Sequence, residues 1–436
     1  MAALDDDFGF VAASVDRAVQ KQRAACDVVL DDPSTSGHAL ARHLALAYDV
    51  IGQRVKSRRE NYDRALDDTV RLDAIVEMRQ LLWDVRELQS NLEWLDAAQK
   101  SPLDLGTRYF VEEVARAVVA RHVELTIVSG GKASYATSSN PWEPLIKAWG
   151  SGIPLTEPTV VVIFLPRREE ASGLLHPLIV HELGHAADEQ HGLVAAIWGK
   201  AQKRVRLSKR FKTVVEELAA TESTDVKSAR DHVADRLRCW IAEALCDSIA
   251  LHHLGPSYLY SFLVEVVAGN IDQPGLKHPS PRQRVKLMTN ALSRMNWDSI
   301  MKAGDPRLFA WIQKQCERPS HYGAIESFLS WAIDDLAAEI RKSSLDLLKE
   351  RVFLPSPQEI SEAQTLLAAG IPPAQRLSGE PIARETVLLA CWHAALSANG
   401  TGPKALPCAP DTPELARLLP AALELSALTN AWESGP

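Results

Sequence analysis

The sequence predicts a predominantly helical α+β protein with one small β-sheet, and three observations carry that expectation. Long stretches free of Pro repeat apolar residues at helical spacing, only two runs are rich in β-branched residues, and the pattern after Pro166 is helical again up to the C-terminus. By this texture the 436 residues divide into an N-terminal helical region 1–120, a core 121–300 that holds both β-branched runs, and a C-terminal helical region 301–436.

The first region earns its helices by periodicity. Between Ala39 and Ala98 the apolar residues Leu44, Tyr48, Ile51, Val55, Tyr62 and Leu66 fall on one helical face. A second series follows through Ile75, Met78, Leu82, Val85, Leu88, Leu92 and Leu95, closed by Ser101-Pro102. One or two long helices are expected, packed as a bundle on their own domain or, alternatively, offered to a partner as a coiled coil. The strands are Val123 to Val128 and Thr159 to Leu165, separated by a loop rich in Gly, Ser and Pro. The second could lie centrally in a sheet or present its edge over Val160 to Leu165 to an extended peptide. Later helices should break near Gly255-Pro256, His278-Pro279, Asp305-Pro306, Pro355 to Pro357, Pro372-Pro373 and Gly400 to Pro413, before a terminal helix from Pro413 to Trp432.

Composition narrows the function classes. With 46% hydrophobic residues, 24% charged residues and a net charge of -8, the chain reads as an acidic soluble globule, and no nucleic-acid partner is expected. No apolar run reaches the ~18 residues of a membrane span, so no membrane partner is expected either. The start, MAALDDDFGF, has neither the basic nor the apolar part of a signal peptide. Six cysteines without a CxxC pair suit reduced thiols in the cytoplasm.

The chemistry concentrates in His181-Glu182-Leu183-Gly184-His185, inside an apolar helical stretch from Leu174 to Ala187 that opens on Pro177. Residues i and i+4 share a helical face, so both imidazoles can reach one metal ion while Glu182 lies close enough to act on a water there. A chain of this composition would hold about 0.03 such motifs by chance, so one occurrence is informative. Two residues compete as third ligand. His191 follows His185 at the spacing of metzincins, but that pattern needs a helix-breaking Gly where Asp188 stands. Glu243, within a helical pattern from Ala229 to Leu254, is favoured because Asp247 follows it one turn later. One carboxylate can then bind the metal while the other accepts the N–H of a ligand histidine. His278-Pro279-Ser280-Pro281-Arg282-Gln283-Arg284 forms a third element, just before a helical run.

In this order, HExxH, ExxxD and HPxxxxR, the chain resembles gluzincin zinc metallopeptidases of the HtpX and CAAX-prenyl-protease type over Thr159 to Met288. The resemblance implies a zincin-like core with one Zn2+ on His181, His185 and Glu243, Asp247 supporting a ligand, Glu182 as general base and proton shuttle, and His278 and Arg284 near substrate or oxyanion. Two imidazoles and a carboxylate leave an open position for water, whose attack on a peptide carbonyl Glu182 would assist. The expected activity is therefore zinc-dependent hydrolysis of a peptide or protein substrate, a single regulatory protein among the candidates. The rival expectation is a helical scaffold or partner-binding protein with a structural or latent zinc site.

Other residues take simpler readings. His176, His252 and His253 are expected at the surface or at helix ends, where a cation suits a C-terminus. Gly184 within a helix costs ~1 kcal/mol relative to Ala, for which close approach by a neighbouring helix is one reading and a neutral position the other. Lys200 to Lys212 holds seven basic residues and no acid, expected as a solvated face or as a patch recruiting an acidic partner.

Overall fold

The structure is a computed structural model that describes residues 2–31, 37–100, 105–119, 123–129, 136–139, 159–165, 173–267, 271–318, 322–349, 352–354, 356–400, 402–404, 406 and 413–434. Among these, sixteen helices and a three-stranded sheet make the chain predominantly helical α+β. The chain divides into two compact units. The first comprises Met1–Pro102 with His122–Arg167, and the second Leu103–Arg121 with Arg168–Pro436.

The first unit contains α1 (Ala2–Leu30), α2 (His38–Arg64), α3 (Asp68–Lys100) and strands β1 (Val123–Ser129), β2 (Ala136–Ser139) and β3 (Thr159–Leu165). Periodicity correctly marks α2 and α3, whose residues Leu44, Tyr48, Ile51, Met78 and Val85 are buried against each other and against α1. Leu66, expected on that apolar face, is instead fully exposed in the break between α2 and α3. Helix α1 falls in the N-terminal region expected to be helical, although its bounds were not expected, and β2 lies within the stretch read as loop.

The sheet order is β1-β3-β2, with β1 parallel and β2 antiparallel to β3. β3 is therefore the central strand. Over Val161–Phe164 both of its edges are hydrogen-bonded, and Val160 to Leu165 are at most 1% exposed. The edge for an extended peptide is thus excluded over those positions. Burial on both faces also explains why the run is apolar throughout instead of alternating. Val160, Val162 and Phe164 belong to the same core as the helices, where Trp94 meets the Phe164 ring edge-on at 5.0 Å.

The second unit is built around α8 (Val226–Leu254), against which α5 (Pro177–His191), α6 (Leu193–Leu207), α7 (Lys209–Glu222), α9 (Pro256–Val267), α10 (Pro281–Arg294) and α13 (Ala324–Leu348) pack. α4 (Leu105–Val118), α11 (Asp298–Gly304), α12 (Pro306–Glu317), α14 (Pro357–Ala368), α15 (Arg384–Ala398) and α16 (Pro413–Ser434) complete it. The termini follow local chemistry. Asp225 caps α8 by accepting from the amides of Lys227 and Ser228, and Asp305 does the same for α12 ahead of Pro306. The breaks expected at Gly255-Pro256, Asp305-Pro306 and Pro357 coincide with observed helix ends. No helix among the described residues is long and apolar enough to cross a membrane.

Candidate metal centre

Four segments of the second unit converge on one carboxylate. Pro177 occupies the first turn of α5, which carries His181 and His185 one turn apart. Helix α8 runs alongside and brings Glu243 and Asp247. The two helices approach closely because position 184 is glycine: a Cβ there would stand 3.0 Å from both Cα and Sγ of Cys246. Ser280 caps α10 by accepting the Gln283 amide at 3.2 Å, which sets Arg284 in the first turns of that helix and His278 just before it.

His181 Nε2 lies 3.4 Å from Glu243 Oε2, and His185 Nε2 lies 3.4 Å from Glu243 Oε1. The ligand atoms of His181, His185 and Glu243 all fall within 4.8 Å of one another. Neighbouring ligands of a tetrahedral zinc with bonds of ~2.0–2.1 Å sit about 3.3 Å apart, so this spacing suits a Zn2+ ion. The donor set fits too, since two imidazoles and one carboxylate match a catalytic zinc site with a position left open. Glu243 Oε2 is buried and lacks a well-directed hydrogen bond, although His278 Nδ1 lies 3.0 Å away and Arg284 Nη1 3.3 Å away. Such an atom gains from a cation placed among the three groups.

Asp247 meets the far side of the His181 ring. Its Oδ1 lies 3.0 Å from His181 Nδ1, which leaves Nε2 to face Glu243. Arg284 departs from expectation. Its Nε and Nη2 donate to Asp247 at 2.7 and 2.6 Å, and its guanidinium lies 4.5 Å from the centre of the Phe262 ring. A guanidinium held by that fork is committed to orienting Asp247 and Glu243 and is not free to receive an oxyanion. His278 is 58% exposed at the side chain while touching Glu243, so its ring stays accessible from solvent. Glu182 lies between the two histidines on α5, half-buried, and close enough for its charge to act on the Cys246 thiol.

The electrostatics follow from burial offset by pairing. Burial would depress His181, but bonds to Asp247 and Glu243 hold it up to about 9. Burial would raise Glu243 and Asp247, yet both carboxyls are held well below the usual range, Glu243 by His181, His185 and His278 and Asp247 chiefly by Arg284. The Cys246 thiol, buried and next to these carboxylates, is pushed far up and stays protonated.

Tyr258 is the member of the cluster that sequence reasoning missed. Its hydroxyl donates to Asp247 Oδ1 and lies 3.1 Å from His181 Nδ1, and its ring runs parallel to that of His181. The signal was present in part: Tyr258 stands three residues past Gly255, where α9 turns back on α8, and a buried tyrosine needs a partner for its hydroxyl.

The other candidates separate from the cluster. α5 continues through Asp188 and ends only at Gly192 (φ 62°), and Asp188 Oδ1 accepts from the Val194 amide. His191 accordingly stays on the helix, with Nε2 2.8 Å from the Val119 carbonyl oxygen, and does not join His181 and His185. His176 is buried at the start of α5 beside Thr107. His252 and His253 lie in the last turn of α8, at a helix end as expected, but both are buried, and burial lowers the pKa of His252. In the basic stretch all seven side chains are exposed; Arg204 pairs with Asp335 and Glu339, and Arg210 lies over Trp331. Compared with known proteins, the chain matches no family model, no curated protein and no solved structure.

Proposed function

We propose that the chain is a zinc-dependent metallopeptidase with a zincin-like catalytic core in its second unit. The observation that carries this reading is the convergence of His181, His185 and Glu243 at tetrahedral spacing, with Asp247 fixing the His181 ring and a carboxylate, Glu182, between the two histidines. Zinc held there would supply a Lewis acid that activates water and polarises a carbonyl. Glu182 then takes the proton of the attacking water and delivers it to the leaving amine. His278, exposed at the rim, donates to the substrate carbonyl oxygen, while Arg284 and Tyr258 hold Asp247 and through it His181. The six cysteines, without a CxxC pair, suit a cytoplasmic setting.

Cleavage of unfolded casein by the zinc-loaded chain tests the proposal. Wild type should cleave, and Glu182→Gln should retain zinc while losing at least ~100-fold in rate; cleavage undiminished in the variant would refute the base assignment. A second reading, a partner-binding protein with a structural or latent zinc, is favoured by one observation: Leu72, Val76 and Trp83 are 51–58% exposed on α3. Zinc uptake without cleavage, together with a partner captured through α3, would select it.

A further inference from the structure

We propose that a cavity enclosed by α8, α10 and α13 is a binding site for a small apolar carboxylate of about six carbons. The cavity has a volume of about 210 Å³, with Leu251, Met288, Ile333 and Ile340 among its lining residues. All four are buried, so the floor is apolar and preformed. Its lining carries Lys286, Arg294 and Arg341 against two acids, Asp334 and Asp247, and Asp247 is held by the Arg284 fork. Asp334 is already engaged, accepting from Lys286 Nζ at 3.1 Å and Gln283 Nε2 at 3.0 Å. Arg294 and Arg341 are exposed, and neither has a carboxylate partner among the described residues.

An apolar recess beneath two uncompensated guanidinium groups fits one ligand chemistry. The tail leaves water for the floor, while the carboxylate accepts charge-assisted hydrogen bonds at the rim. Size sets the tail length: a cavity of roughly 150 Å³ holds benzene, so 210 Å³ holds roughly eight non-hydrogen atoms, the count of hexanoate. Phosphate would make no use of the floor, and an alkylamine would meet like charge at the rim. Asp247 also lines this cavity, so an occupant touches the residue that orients His181. The binding claim itself is independent of the zinc reading.

Titration of the intact chain with hexanoate, acetate and hexylamine by isothermal calorimetry or ligand-observed NMR tests the assignment. Hexanoate should saturate with a Kd on the order of 1 mM, and acetate and hexylamine should bind at least ~10-fold more weakly. The double variant Arg294→Gln/Arg341→Gln, at two exposed positions, should lose ~10-fold or more in hexanoate affinity. Hexanoate without saturable binding, or bound no better than acetate or hexylamine, would overturn the proposal, and the wild-type series decides this without any variant.

Discussion

At the scale of single residues, labour is divided among three carboxylates, Glu243 and Asp247 one turn apart on α8 and Glu182 on α5. Glu243 faces both imidazoles, Asp247 holds the far side of one of them, and Glu182 stands between the two histidines in the sequence of α5. Three outcomes follow. Glu243→Ala should abolish stoichiometric zinc binding, read by equilibrium dialysis; retained zinc would place the third ligand elsewhere. Asp247→Asn keeps the shape but replaces a charged acceptor facing His181 and Arg284, and should weaken zinc about 10- to 100-fold. Tyr258→Phe, losing one hydroxyl that donates to Asp247, should weaken it less, with the protein still folded by circular dichroism. In the metal-free chain His181 titrates near 9, above its ordinary 6.5, so zinc taken up at pH 7.5 should displace about one proton from it, visible as acid release in weak buffer. The histidines, Glu243 and Asp247 were legible in the sequence because helical spacing alone puts i and i+4 on one face. Tyr258 and the commitment of Arg284 were not, since both depend on how α9 and α10 fold back on α8, which no local period encodes.

Between elements, the decisive contact is α5 against α8. A glycine inside a helix ordinarily costs ~1 kcal/mol relative to alanine, so Gly184→Ala would be stabilising at an open position. Here the added Cβ meets the backbone of α8 at Cys246 Cα, which cannot rotate away. The substitution should therefore destabilise by about 1–3 kcal/mol and also weaken zinc, because it separates the histidines from Glu243. Equal or greater stability in urea denaturation would contradict that packing. The close approach was one of the two readings of Gly184 itself, and α2, α3 and the breaks at Gly255 and Asp305 were foreseen, each marked by periodicity or by a Pro after a cap. Sheet order was not: two β-branched runs say nothing of which is central, and the short β2, with its Ala-Thr-Ser-Ser sequence, carries no strand signal. Helix α1, inside the region expected to be helical, was left without bounds for a different reason, its apolar positions being diluted by charge from Asp5 to Asp7.

For the molecule as a whole, the chain's acid sensitivity should come partly from a histidine far from the cluster in sequence. His393 in α15 is 3% exposed, accepts from Gln364 Nε2 at 3.2 Å, and burial lowers it to about 4 from an ordinary 6.5. The folded state thus binds fewer protons than the unfolded one between these values. Its contribution is fully present above about pH 6.5 and is lost as pH falls toward 4, to at most about 3 kcal/mol. His393→Gln should flatten the stability profile over that window, as thermal melts at a series of pH values would show. An unchanged slope would assign the acid sensitivity to other groups, His252 among them. Composition told of an acidic globule, and the net charge of -8 holds for the whole, yet the His181, His185 and Glu243 cluster is made of a few buried or half-buried groups that composition averages away. The most direct test of the central claim is zinc K-edge absorption spectroscopy on the zinc-loaded intact chain. One zinc per chain in a shell of two imidazoles and oxygen donors near 2.0 Å, without sulfur, is the predicted result; a shell containing sulfur, or no stoichiometric zinc, would contradict it.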